Sequence, residues 1–411
     1  MKARSLATPG RILVVSLLLA ASMLAAPMAA PASAQQSSPI GNLRATHQFG
    51  SQIEFFADLA PGTDFTEAFL TFQSTSSSQS IVLTAEEQEP NLLTARYENA
   101  TQNPLPAFSR LTFWFTLKLA SGSTIESEKV TYLFSDNRFE WQTFSLGDKS
   151  DVNWVEGDIS LGQSVADVIN QHKSSFSRYL DLPYPEELHI YIYPTTTAFR
   201  SALEISQIPW ASGHANPDQS TILVAIPIGF DQQLDIQRQI PHEIAHIRLA
   251  LYLDGSTDPL PTWFNEGIAS LAENFTAPEH WQILQTAFQL DDLLQMEALC
   301  ESFPYSNDDA ALAYAQSESF VRYLHDRYGK AGLQALLEAY KQGHTCQNGV
   351  QVTLGISLER LEADWYKETF DSGIVPRSVG TILTWVVLLV ILLAAPIIMI
   401  LITSRRKGGS Q

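Results

Sequence analysis

The stretch His242-Glu243-Ile244-Ala245-His246 and a second one shortly after it, Pro261-Thr262-Trp263-Phe264-Asn265-Glu266-Gly267, decide how this 411-residue chain is read. Residues four apart on an α-helix lie one above the other, so His242 and His246 can grip one metal ion from the same side. Glu243 projects about 100° round the helix from His242 and can reach a water at that ion without being a ligand. Two ligands are thus provided and a third is needed. Glu266 lies twenty residues past His246, beyond the turn-rich Asp254-Gly255-Ser256-Thr257-Asp258-Pro259 and inside a helix predicted to begin near Pro261. A helix, a reversal and a second helix would bring it back beside the histidines. With nine His in the chain, H-E-x-x-H alone arises by chance in roughly one chain in a hundred. The joint occurrence with Trp263, Asn265, Glu266 and Gly267 is far rarer.

A metzincin arrangement would need Gly at 249 and His at 252, where this chain has Leu249 and Tyr252. The Trp-x-Asn-Glu-Gly stretch at this distance from H-E-x-x-H instead resembles the gluzincin metallopeptidases. Within them it is most similar to the bacterial peptidase MA-like group, whose fold is related to thermolysin, over roughly residues 150–370. The resemblance implies an α+β zincin-like catalytic domain with Zn2+ held by His242, His246 and Glu266. It also implies that Glu243 acts as general base on the attacking water, and that Tyr314 donates its hydroxyl to the developing oxyanion. A strand at residues 221–226 would then form the edge of the cleft, where an extended peptide substrate pairs, with His214 either near that edge or in a solvated loop. Ser270 stands where thermolysin-like relatives carry an Asp that supports a histidine, so that support is not legible, although Glu273, seven residues past Glu266, is a candidate. No amine-capturing G-x-M-E-N lies between residues 190 and 240, which favours internal over terminal cleavage. Two other readings stay open: a surface binding module that has lost activity, and a zinc hydrolase of a non-peptide substrate.

The chain carries 25 basic and 44 acidic side chains, a formal charge of −19, which argues against nucleic acid as a partner. Lys2, Arg4 and Arg11, the apolar run 12–26 and Ala32-Ser33-Ala34 read as a signal peptide over residues 1–34, with an uncleaved anchor as the alternative. Residues 379–402 read as one transmembrane helix; these 24 residues would span about 36 Å. Arg405, Arg406 and Lys407 then place residues 403–411 in the cytoplasm. The expectation is a single-pass cell-membrane protein whose catalytic domain faces outward, close enough to the bilayer to cut membrane-proximal proteins. Cys300 and Cys346 are the two cysteines, either bridged, as export permits, or free.

Residues 40–147 read as an all-β, immunoglobulin-like sandwich, led by the alternating Leu111-Thr112-Phe113-Trp114-Phe115-Thr116-Leu117. The turn Gly147-Asp148-Lys149-Ser150 reads as a boundary, and residues 150–372 as the peptidase domain. Pro241 is expected to bend or break the helix carrying the histidines. A further helix is expected from Ala311 to near Gly329. The remaining histidines have no partner at ligand spacing.

Overall fold

Along Ser109–Leu119 nearly every second side chain is buried, the pattern of a strand with one face on a core. In the computed structural model, which describes residues 38–74, 79–99, 105–203 and 212–371, this strand is central to the first half of the chain. The strands before the first helix are β1 (Ile40–Gln48), β2 (Gln52–Leu59), β3 (Phe65–Ser74), β4 (Ser80–Thr84), β5 (Glu86–Glu89), β6 (Leu92–Glu98), β7 (Ser109–Leu119), β8 (Thr124–Glu126), β9 (Val130–Phe134), β10 (Gln142–Gly147) and β11 (Ser150–Trp154). One sheet runs β1-β2-β6-β5 and a second β4-β3-β7-β8, with β9 also on β7. All their pairings are antiparallel. Phe55, Phe72 and Phe113 meet in the core they enclose, with ring centroids 5.0 and 5.4 Å from Phe55.

The turn at residues 147–150, read as a boundary, instead joins the paired strands β10 and β11. A Gly-Asp-Lys-Ser turn has the composition of a linker and of a hairpin alike; pairing partners decide between them. β10 and β11 open a five-stranded sheet of order β10-β11-β12-β14-β13, with β12 (Leu188–Tyr193), β13 (Gly213–Asn216) and β14 (Thr221–Ala225). β11, β12 and β14 are parallel neighbours, and β13 lies antiparallel at the edge. One face of this sheet carries helix α1 (Ile159–Ser175). On the other, Tyr191, Tyr193, Leu223 and Ala225 join Phe199 of α2 (Thr196–Leu203) in the core of the two preceding sheets.

The rest is helical: α3 (Gln232–Tyr252), α4 (Thr262–Ala272), α5 (Pro278–Leu290), α6 (Asn307–Lys341), α7 (Cys346–Leu354) and α8 (Leu358–Tyr366). α4 lies between α3 and α6, and Gly267 sets its approach. A Cβ there would fall 2.6 Å from Ser317 O and 2.4 Å from Val321 Cγ2, so only glycine lets these helices come so close. α6 starts at an N-cap, Ser306, that accepts from Asp309 N, four residues earlier than expected. It breaks at Gly329 (φ 67°, ψ −175°), where the end of a helix is expected. Cys300 and Cys346 are disulfide-bonded, with Cα atoms 6.0 Å apart.

One part of the expected fold class, and the address drawn from it, is corrected. No helix among the described residues is long and apolar enough to cross a membrane. α6 has the length, but Asp308, Asp309, Glu318, Arg322, Asp326, Arg327, Lys330, Glu338 and Lys341 lie along it, which forbids a span. The transmembrane helix and cytoplasmic tail expected at residues 379–411 lie outside the described residues, as does the signal peptide of residues 1–34. The described residues therefore form N-terminal β-sheets followed by a helical region, with no spanning helix among them. The single-pass membrane location is withdrawn with it.

Candidate active site

Helix α3 runs unbroken through Pro241, so His242 and His246 keep helical spacing and their ring centroids stand 5.0 Å apart. α4 brings Glu266 to them. The first turn of any helix leaves N–H groups without partners; here Cys300 O and Leu299 O accept from Thr262 N and Trp263 N at 2.9 and 3.0 Å. The disulfide to Cys346 and the Trp263 indole N–H, 3.2 Å from Cys346 Sγ, tie this end of α4 to the α7 terminus.

Glu266 Oε2 lies 3.3 Å from His242 Nε2 and 3.6 Å from His246 Nε2, yet it is buried and makes no hydrogen bond. The far side of each imidazole is engaged: His242 Nδ1 is 3.0 Å from Glu273 Oε1, and His246 Nδ1 is 3.1 Å from Asn265 Oδ1. With acceptors at both Nδ1 atoms, protons are drawn there and the Nε2 lone pairs face inward. One atom from each of the three residues lies within 4.8 Å of the others. Among the described residues, this is the one group of three His, Cys, Asp or Glu side chains that can converge on an ion. Two imidazoles with Nε2 turned inward and one carboxylate whose buried Oε2 has no hydrogen bond fit a divalent cation such as zinc.

Glu243 is 7% exposed and lies against β13, where a Cβ on Gly213 would meet its Oε1 at 2.2 Å. Burial raises its carboxyl above the usual range, against the pull of His246 and His242. Burial also acts to raise Glu266, but the two histidines outweigh it and hold that carboxyl far below the usual range. His242 shows the converse: burial acts to lower it, and the carboxylates of Glu266 and Glu273, one beside each ring nitrogen, carry it well above its ordinary value. The cluster is short of positive charge. Tyr314, on α6, hydrogen-bonds Glu266, and burial raises its hydroxyl well above the ordinary value. His242, Glu243, Glu273 and Tyr314 line a cleft of about 260 Å³ together with Ser212, Gly213, His280 and Asn307.

All five residues singled out in the sequence therefore meet in one place. The cleft edge differs from expectation: β14 is interior and buried along its whole length, and β13, carrying His214, is the edge strand. An unbroken apolar run marks a strand covered on both faces. Glu273, the candidate for supporting a histidine, stands behind His242, whereas Asn265 was given no role from sequence. Asn265 is signalled only by its place beside Glu266, and Glu273 lies just beyond the end of α4. Ser270, at the position discussed for support, has a buried hydroxyl with no hydrogen-bond partner. His172, His189 and His280 are engaged by Arg248, Asp151 and Glu318 in turn, away from the cluster or at its rim.

Residues 181–370 match the model of the Peptidase MA superfamily. The match takes in the whole His-His-Glu group and supports a gluzincin-type peptidase superfamily for this part of the chain. Among solved structures, an aminopeptidase N family protein from Idiomarina loihiensis is 8% identical, covering 78% of this chain and 74% of that one at a TM-score of 0.36. A polysaccharide deacetylase from Bacillus cereus is 12% identical, covering 42% and 57% at a TM-score of 0.20. Likeness at these scores carries no argument. Nothing among curated proteins matches the chain.

Proposed function

We propose that the protein is a zinc-dependent peptidase, with the ion held by His242, His246 and Glu266. The observation that carries the reading is the buried Glu266 Oε2. It makes no hydrogen bond while two imidazole Nε2 atoms, each fixed from behind, stand 3.3 and 3.6 Å away. A zinc ion there would supply a Lewis acid for the scissile carbonyl and lower the pKa of a water molecule. Glu243 takes the proton from the attacking water and returns it to the departing amine. Its burial beside Gly213 favours that role, because a carboxylate raised in pKa is a better proton carrier near neutral pH. Tyr314, next to Glu266, is placed to turn its hydroxyl toward the developing oxyanion, a donor worth a few kcal/mol in such a site. An extended peptide can add to the free edge of β13. The lack of an amine-capturing motif between residues 190 and 240 supports internal cleavage.

The test is a panel of unfolded proteins and peptides, incubated with the purified protein with and without a chelator, and with Glu243→Gln. Internal cuts that vanish in the last two conditions are expected. Cutting that survives Glu243→Gln would overturn the reading.

A further inference from the structure

Helix α3 continues through Pro241, although proline has no N–H for the carbonyl four residues earlier, and its ring crowds that carbonyl. The carbonyl is Gln237 O, and it is satisfied from outside: Asn274 N donates to it at 3.2 Å. Asn274 follows Glu273, where α4 has ended and the backbone is extended (φ −59°, ψ 146°). Glu273 then reaches across α3 with both oxygens. Oε1 lies 3.0 Å from His242 Nδ1, and Oε2 accepts from Arg238 Nε at 3.4 Å. Gln237, Arg238, Pro241 and His242 share one face of α3, at i, i+1, i+4 and i+5. The segment is thus fastened to that face by one main-chain and two side-chain contacts. The main-chain contact has its acceptor left open by the absence of an N–H at residue 241.

We infer that Pro241 is a positioning residue: by withholding from the Gln237 carbonyl the helical donor it would otherwise have at residue 241, it docks the Glu273–Asn274 segment and so sets the carboxylate that orients His242. This rests on the proposed metal site and concerns how tightly that site is held. With alanine at 241, the helix would satisfy Gln237 O internally and Asn274 N–H would compete for the same oxygen. Glu273 would then lose its main-chain tether, and the His242 ring its fixed orientation. Disturbing a carboxylate behind a metal-binding histidine typically changes metal affinity 10–100-fold, and loosening it belongs at the lower end.

The test compares the full chain with Pro241→Ala, Asn274→Pro, Glu273→Gln and the Pro241→Ala/Glu273→Gln double variant. Zinc affinity is measured by competition with a chromophoric chelator, and thermal midpoints are measured on the metal-free proteins. Pro241→Ala is expected to weaken zinc about tenfold without lowering the midpoint, since alanine restores a helical bond. The double variant should bind no more weakly than Glu273→Gln alone, because both losses act through one carboxylate. Asn274→Pro leaves the sequence of α3 unchanged, removes the donor and sets the proline ring against Gln237 O, which displaces the segment, at a place where the preceding residue already has the extended conformation that proline requires. It should weaken zinc to a similar degree, and it decides the matter if Pro241→Ala does not fold. Wild-type affinity in both, or additive losses accompanied by a lowered midpoint, would overturn the inference while leaving the metal site standing. A wild-type protein that takes up no zinc would remove both.

Discussion

The carboxylate of Glu243 sits where a methyl group on Gly213 would come within 2.2 Å of Oε1, so the smallest possible change on the neighbouring strand must push it aside. Gly213→Ala is expected to lower turnover at least tenfold while zinc content stays at the wild-type level; unchanged kinetics would show that the carboxylate has room to spare. Glu243→Gln should likewise keep zinc and lose about 10²–10⁴-fold in turnover, the usual worth of a positioned acid–base group. His242, Glu243, His246 and Glu266 were legible because helical spacing fixes their relative directions. Glu273 was legible only as a candidate, and the role of Asn265 was not, because what lies behind a histidine depends on how α4 approaches α3, and no local pattern encodes that approach.

At the scale of elements, the disulfide and the helix it anchors belong together. Cys300 supplies both a carbonyl to the first turn of α4 and a sulfur to Cys346, so α4, and Glu266 on it, is held at its N-terminal end. Replacing both cysteines by serine should cost up to about 4 kcal/mol in the chain-entropy estimate, read as a lower urea midpoint. A midpoint within error of wild type would show that packing alone holds α4. The helix carrying His242 and His246, the strands β12 and β14 and the break at Gly329 were readable from periodicity and composition. The edge strand was not: Gly213-His214-Ala215-Asn216 has no alternation, and the more apolar β14 beside it takes the interior place.

At the scale of the molecule, the first two sheets and the five-stranded sheet share a core. Phe108, Tyr191, Tyr193, Phe199 and Leu223 lie in one buried cluster, and Trp141 meets both tyrosines edge-on, at 5.5 and 5.2 Å. A chain beginning at residue 150 would expose that face and lose β10, so it is expected to aggregate or to melt without cooperativity. A soluble fragment with a sharp thermal transition would show that the two halves are independent. Periodicity separated an all-β first part from a mixed helix-and-strand second part, but turn residues alone do not distinguish a hairpin from a boundary. The roles proposed for His242, Glu243, His246 and Glu266 all depend on one ion. Elemental analysis of the purified protein should find about one zinc per chain, and none in Glu266→Ala; wild-type protein that stays metal-free after reconstitution with zinc would contradict them.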